Sequence, residues 1–181
     1  MHRAIRSHIL QSVLLGSIIL AGITRAQSTP TLPNTPEALR PPKDQVLIFH
    51  LKGKGNQIYT CQNDAGTYAW KLKAPEAVLL SENGEQKGRH FGGPTWEAND
   101  GSRITGKLVA SVLSPDPLSI SWLLLSVVSH DGGRGIMTRV ESIQRLNTKG
   151  GKAPGSGCDA SHENAETSVH YEASYYFYGT P

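Results

Sequence analysis

The sequence predicts an all-β fold, an antiparallel β-sandwich or barrel of about eight or nine strands with little helix. Short runs rich in β-branched and aromatic residues recur from residue 46 to the end of the chain, and clusters of Gly, Asn and Asp separate them. No segment repeats its apolar residues at the period of an amphipathic helix. Many short strands joined by turns are typical of a single sandwich or barrel.

In the first half of this domain the pattern predicts hairpins. Asn83-Gly84 and Asp100-Gly101 are residue pairs that tight hairpin turns prefer. Residues 52–56 contain two glycines and are interpreted as a further turn. Strands are expected between such turns, at residues 46–51, 57–61, 67–72 and 77–80.

The second half predicts longer strands. Residues 104–112 alternate between apolar and polar side chains, as a half-buried strand does. Residues 120–128 are almost continuously apolar, which fits a buried strand or a helix, and the turns around them favour a central strand. Residues 136–146 are expected to form another strand and residues 147–164 a Gly-rich loop. The final strand alternates clearly over residues 169–177.

Residues 1–26 have the pattern of a secretory signal peptide. Two arginines precede an apolar run at residues 9–23, and the small residues Thr24 and Ala26 favour cleavage after Ala26. The apolar run is shorter and more interrupted than a membrane-spanning helix requires. We therefore expect a secreted or periplasmic protein with no membrane span after signal cleavage.

The chain after the signal peptide predicts one domain behind a spacer. Residues 27–43 carry five prolines and are predicted to form a Pro-rich linker, and residues 44–181 a single β-domain. Of the 18 basic residues in the chain, three lie in the signal peptide, which leaves 15 against 15 acidic residues. This even balance argues against nucleic acid as a partner, because nucleic-acid-binding domains carry an excess of basic residues.

Cys61 and Cys158 are the only cysteines in the sequence. In an oxidising compartment two such cysteines usually pair, so a Cys61–Cys158 disulfide is expected. A bridge that closes a loop of roughly 100 residues should stabilise the fold by about 4–5 kcal/mol, because it lowers the entropy of the unfolded chain. Measured bridges usually contribute less. The alternative is a catalytic thiol, as in Cys–His hydrolases, which an oxidising compartment and a second cysteine disfavour.

No motif indicates a catalytic residue, a metal site or a cofactor. The histidines of the exported part show no metal-ligand spacing, and residues 159–163 place two carboxylates near an imidazole without the tighter pattern of a zinc site. His130 and Asp131 are adjacent and are interpreted as turn residues. The sequence contains neither a nucleophile elbow nor a phosphate-binding glycine pattern followed by a helix.

The aromatic residues allow two interpretations. Trp70, Trp96, Trp122 and the aromatic run at residues 175–178 could line a pocket for a small molecule. Aromatic residues are also enriched in strands, so the interpretation as the core of the β-domain is favoured.

A series of short motifs carries a family resemblance that covers nearly the whole domain. The motifs lie at residues 57–61, 74–77, 88–97, 100–102, 122–125, 144–151, 157–158 and 171–178. In these motifs the chain resembles the domain of unknown function 3455 family, secreted proteins found in bacteria and fungi. The resemblance implies export and implies no particular activity.

One segment is the first candidate for a functional surface. Residues 88–100 gather five chemically versatile side chains around glycines and a proline: Arg89, His90, Trp96, Glu97 and Asp100. The alternative is a structured turn in which Trp96 fills the core, and the sequence leaves both open.

The favoured function is that of a non-catalytic binding or envelope-associated protein whose partner is an unknown small molecule or envelope component. The alternative is a small secreted hydrolase or metal-dependent enzyme that uses His90 with nearby carboxylates. A purely structural envelope component is a third possibility.

Overall fold

The computed structural model describes residues 34–181, so the expected signal peptide and its cleavage site lie outside the described residues. Eight antiparallel strands form one sheet, and the remaining regular structure consists of short 3-10 helices. The strands are β1 (Val46–Asp64), β2 (Thr67–Leu80), β3 (Gln86–Phe91), β4 (Thr95–Ala98), β5 (Arg103–Val112), β6 (Trp122–Asp131), β7 (Ser142–Gly150) and β8 (Glu166–Gly179).

The sheet closes into an up-and-down barrel. Each strand pairs with the next one along the chain, and β8 returns to pair with β1. The predicted all-β antiparallel fold is confirmed, and of the two predicted architectures the barrel is the one observed. Closure gives every strand two neighbours, and an eight-stranded barrel is wide enough for side chains or one small ligand.

The turn expected at residues 52–56 is wrong, because β1 runs through it without a break. Gly53 pairs with Ala173 of β8, and a Cβ atom at Gly53 would lie 2.4 Å from the Tyr175 ring. A Cβ atom at Gly55 would lie 2.0 Å from the Glu76 carbonyl oxygen. These glycines therefore mark close approach inside a barrel strand rather than a change of direction.

Residues 67–80 likewise form one strand, where two were expected. Pro75 lies within β2 and faces Gln57 of β1, whereas the pairing of β2 with β3 begins only at Ala77. The missing N–H of proline is tolerated because this part of β2 has no partner on its other side.

The strand expected at residues 136–146 begins later than predicted. Ile136–Arg139 is a 3-10 helix, and β7 starts at Ser142 and continues to Gly150, into the expected loop. The Ile136 N–H donates to the Asp100 carboxylate and the Met137 N–H donates to the Ser102 hydroxyl. These bonds hold the fully buried Met137 side chain in the core inside the barrel.

The end of the predicted linker is packed against the barrel. Glu37–Leu39 is a 3-10 helix, Leu39 is fully buried, and Gln144 Nε2 donates a hydrogen bond to the Leu39 carbonyl oxygen. Leu39 joins a second apolar cluster, separate from the core inside the barrel, with Leu124, Leu146, Tyr176 and Tyr178. The part of residues 27–43 that the structure describes is therefore not a free spacer, because it covers apolar side chains on the outer face of the sheet.

The expected disulfide joins β1 to the loop before β8. Cys61 and Cys158 are bonded with their Cα atoms 5.3 Å apart, and the Cys61 side chain is fully buried. Trp70 Nε1 donates to the Ser156 carbonyl oxygen in the same loop. Within residues 34–181, no helix has both the length and the apolar character needed to cross a bilayer.

Candidate functional site

A cavity of about 480 Å³ opens among the strands at one end of the barrel. Its rim includes exposed residues from β2, the β3–β4 turn and β5, and its inner wall includes the buried side chains of Gln57, His90, Trp96 and Leu125. The lining comprises Gln57, Leu72, Lys73, Ala74, Pro75, His90, Gly93, Pro94, Trp96, Gly106, Lys107, Leu108, Leu123, Leu125 and Arg145.

Aromatic rings form one wall of this cavity. His90 on β3 and Trp96 on β4 are directly opposite in the strand pairing, and their rings stack with centroids 4.3 Å apart. The Tyr175 ring on β8 meets both of them edge-on. Gly106 makes room for the indole, because a Cβ atom there would lie 3.0 Å from Trp96.

The His90 imidazole is held neutral in one tautomer. Its Nδ1 atom lies 2.8 Å from the Thr95 carbonyl oxygen, which can only accept, so Nδ1 carries the proton. Desolvation lowers the pKa of His90 to about 3, and the hydrogen bond to Thr95 opposes this only in part. At neutral pH the ring therefore presents Nε2 as a hydrogen-bond acceptor, not a positive charge.

Several polar groups are buried next to the cavity. The Tyr171 and Tyr175 hydroxyls are 3.1 Å apart, and burial raises the pKa of both phenols, so both remain protonated. Within residues 34–181, Trp96 Nε1 is a buried donor with no hydrogen-bond acceptor, and Gln57 Nε2 has no acceptor in normal geometry, although the Gln57 amide lies beside the Tyr171 hydroxyl. Unpaired buried donors are costly, which makes them places where water or a ligand oxygen would be stabilised.

Arg145 brings a positive charge to the inside of the barrel. Its neighbours on β7, Gln144 and Leu146, contact the outer cluster, so Arg145 lies on the opposite, inward face of the strand. There it lines the cavity together with Leu123. Its Nε and Nη2 atoms both donate to the Ser121 carbonyl oxygen, at 3.2 and 2.9 Å. Leu123 and Arg145 also line a second cavity of about 530 Å³, next to the β5–β6 connection.

The five residues expected to form one binding surface are divided by the alternation of the strands. His90 and Trp96 face the interior, whereas Arg89 and Glu97 pair on the outside through a 2.9 Å ion pair. Asp100 accepts hydrogen bonds from Ser102 and from the Ile136 N–H, so it holds the β4–β5 hairpin against the 3-10 helix. The structure thus brings together two of the five at the cavity.

Sequence reasoning did not single out Gln57 or Arg145. Side chains along a strand face the interior and the exterior of the barrel in turn. A polar residue at an inward position is therefore the sequence signal that could have identified each of them. That signal depends on strand boundaries. Both residues lie inside strands that were expected, at residues 57–61 and 136–146, but neither strand showed from its sequence which of its faces is turned inward.

The other titratable clusters lie at the surface. Asp159, Ser161 and His162 form a local hydrogen-bonded group, with Asp159 Oδ1 and His162 Nδ1 2.8 Å apart, and all three are exposed. In the part of the chain that the structure describes, no three His, Cys, Asp or Glu side chains are grouped as metal ligands. The hydrogen bond recorded for His90 goes to a backbone carbonyl and not to a carboxylate.

Fold and site together define a class: a disulfide-bridged, eight-stranded antiparallel barrel with a partly open cavity at one end. Residues 41–179 match the family model described as Protein of unknown function (DUF3455), and the chain belongs to that family. The match extends over the whole barrel. Neither the curated proteins nor the solved structures contain a match to this chain.

Proposed function

We propose that this protein is an exported binding protein that holds a small, mainly apolar molecule in the cavity at the end of its barrel. The observation that carries the proposal is the cavity itself, about 480 Å³ with Trp96, Leu123 and Leu125 in its wall. Cavities of this size, mostly apolar with a few polar groups, are typical of small-molecule sites. The eight-stranded barrel provides a rigid frame for such a site.

The polar groups of the cavity support a ligand with at least one oxygen or nitrogen acceptor. Trp96 Nε1 has no acceptor within residues 34–181, and Gln57 Nε2 lies beside the Tyr171 hydroxyl without a hydrogen bond of normal geometry. Both residues line the cavity, so an acceptor on a bound molecule would reduce the cost of these buried donors. His90 adds a stacking surface and an imidazole acceptor without adding charge.

The proposed location is the periplasm or the extracellular medium. The support is the signal-peptide pattern at residues 1–26 and the Cys61–Cys158 disulfide. A binding protein in such a compartment meets small molecules directly, outside the cytoplasm.

The test is a titration of purified protein with phenylnaphthylamine, a neutral apolar fluorophore that becomes bright when it leaves water. The variant Leu123→Trp adds bulk to the cavity wall. The matched control is Val128→Trp on the same strand, because Val128 is 57% exposed and does not line the cavity.

The proposal predicts saturable binding of about one fluorophore per chain, unchanged in Val128→Trp and weakened by about tenfold or more in Leu123→Trp. Thermal unfolding of each variant identifies a loss of binding that comes from misfolding. Non-saturable binding, or equal binding by both variants, would show that the cavity is not a ligand site.

A further inference from the structure

We infer that the ligand of this cavity carries an anionic group, a carboxylate in its simplest form, and that Arg145 is the group that binds it. The inference rests on the proposed binding function and specifies the chemistry of the ligand: an apolar body with one acidic head group.

The first support is that Arg145 has no counter-ion among the residues that the structure describes. Of its five N–H donors, one on Nε and one on Nη2 donate to the Ser121 carbonyl oxygen, and the guanidinium also lies in hydrogen-bonding contact with the neutral Tyr175 hydroxyl. None of the ion pairs within residues 34–181 includes Arg145. A partly buried guanidinium without a carboxylate is costly, and an anionic ligand would neutralise it with N–H donors still free.

The second support is the sign of the charges around the cavity. Its charged lining residues are Lys73, Lys107 and Arg145, and among the described residues no carboxylate lines it. Lys73 forms an ion pair with Glu166, which does not line the cavity, at 2.5 Å, whereas Lys107 forms no ion pair within residues 34–181. A cavity whose fixed charges all have one sign attracts ligands of the opposite sign.

The one carboxylate among the described residues that shares a cavity with Arg145 is already engaged. Asp116 lines the second cavity, the one that shares Arg145. Its carboxylate accepts hydrogen bonds from the Ser119 hydroxyl and from the Leu118 N–H, within its own turn. Asp116 therefore stabilises the β5–β6 connection and leaves the guanidinium available to a ligand.

The planar guanidinium also explains why the group should be a carboxylate or a similar planar acid. Arginine binds such groups through two parallel N–H···O bonds, and these charge-assisted bonds are stronger than bonds between neutral groups. Gln57, Trp96 and the leucines of the wall then contact the uncharged remainder of the molecule.

The experiment compares matched acids and alcohols, decanoate with decanol and naphthoate with naphthol, in displacement of phenylnaphthylamine from the full mature protein. We expect at least one acid to bind about tenfold or more tightly than its alcohol. In Arg145→Met the acid should lose that advantage while the alcohol keeps its affinity. Arg145→Lys should retain part of the advantage, since it keeps the charge without the planar geometry.

Arg145 also donates hydrogen bonds to the Ser121 carbonyl, so its replacement changes a structural contact as well as the charge of the cavity. A second pair of variants therefore tests the charge of the cavity without changing Arg145. Lys107→Gln removes an exposed charge at the cavity, and Lys71→Gln removes an exposed charge on β2 away from the cavity lining. Lys107→Gln should weaken acid binding and make it less sensitive to salt, and Lys71→Gln should change neither.

The outcomes separate this inference from the proposed function. The inference of an anionic ligand is wrong if acids and alcohols displace the fluorophore equally. It is also wrong if Arg145→Met and Lys107→Gln bind the acids as tightly as the native protein does. In both cases the proposed apolar binding site in the cavity is unaffected. If phenylnaphthylamine itself does not bind at the cavity, both proposals fail.

Discussion

The imidazole of His90 lies flat against the indole of Trp96, with ring centroids 4.3 Å apart and planes within 12°. The two residues face each other across β3 and β4, so the contact is a cross-strand pair on the inner face of the barrel. This pair forms a wall of the cavity, and the Thr95 carbonyl fixes the protonated nitrogen of the ring. The same burial makes the stability of the barrel depend on pH.

The first prediction concerns acid. Burial lowers the native pKa of His90 to about 3, below the value of 6.5 for an unperturbed histidine. Between these values the unfolded chain binds a proton that the native protein does not, so the free energy of unfolding falls as the pH falls. The slope from this group is about 1.4 kcal/mol per pH unit within that window. Urea unfolding at pH 4, 5, 6 and 7 measures it.

The control for the pH prediction is His90→Asn, which keeps an N–H donor and removes the titrating ring. His50 and the carboxylates titrate in both proteins, so the difference between the two pH profiles isolates His90. The variant should be less stable at pH 7 and should lose stability less steeply below pH 6. Parallel profiles would contradict the buried neutral imidazole.

The second prediction concerns the glycines of β1. A Cβ atom at Gly55 would meet backbone atoms of β2, at 2.0 Å from the Glu76 oxygen, and one at Gly53 would meet the Tyr175 ring at 2.4 Å. Gly55→Ala and Gly53→Ala should each cost about 1–3 kcal/mol, with Gly55→Ala the more severe because backbone cannot move aside. Gly155→Ala, which has open space around it, is the matched control. Chemical denaturation measures the free energy of unfolding of the three variants. Equal values would contradict the close approach of neighbouring strands at Gly53 and Gly55 in β1.

The third prediction concerns the segment before the barrel. Leu39 is fully buried in the outer cluster, so Leu39→Ala should lower the free energy of unfolding by about 2–5 kcal/mol. The control is Leu113→Ala, which should change the free energy of unfolding by less than about 0.5 kcal/mol, because Leu113 is 81% exposed. If Leu39→Ala were as mild as Leu113→Ala, the segment would be a free spacer after all.

The fourth prediction concerns the disulfide. Intact mass after thiol alkylation should show both cysteines protected until reductant is added, because Cys61 and Cys158 are bonded. Replacing both with alanine should lower the free energy of unfolding by about 2–4 kcal/mol, since the bridge closes a loop of nearly 100 residues in the unfolded chain. A native protein with two reactive thiols would contradict the bridge.

The strands that could be predicted from the sequence were those with clear alternation or a marked turn. β8 alternates over residues 169–177 and the turns at Gly84 and Gly101 have the expected positive φ angles. Gly53 and Gly55 were mistaken for a turn because glycine has the same sequence signature where chains turn and where a ring or a backbone approaches closely.

The site was harder to predict than the fold because it depends on inward direction and on strand pairing. His90 and Trp96 were selected as chemically versatile residues, but the outward Arg89 and Glu97 were selected with them. Arg145 becomes visible only once β7 is placed beside β6 and β8, since its pairing with Leu123 and Tyr175 puts it at the cavity. Leu39 was hidden because a proline-rich segment does not reveal the apolar face that it covers.

The most direct test of the central claim is native mass spectrometry of the protein expressed without residues 1–26, after equilibration with a small-molecule extract of the cells that produce it. We expect one non-covalent adduct per chain in the native protein and in Val128→Trp, released on denaturation, and little or none in Leu123→Trp. A bare mass in the native protein, or the same adduct occupancy in Leu123→Trp, would contradict a ligand site in the barrel cavity.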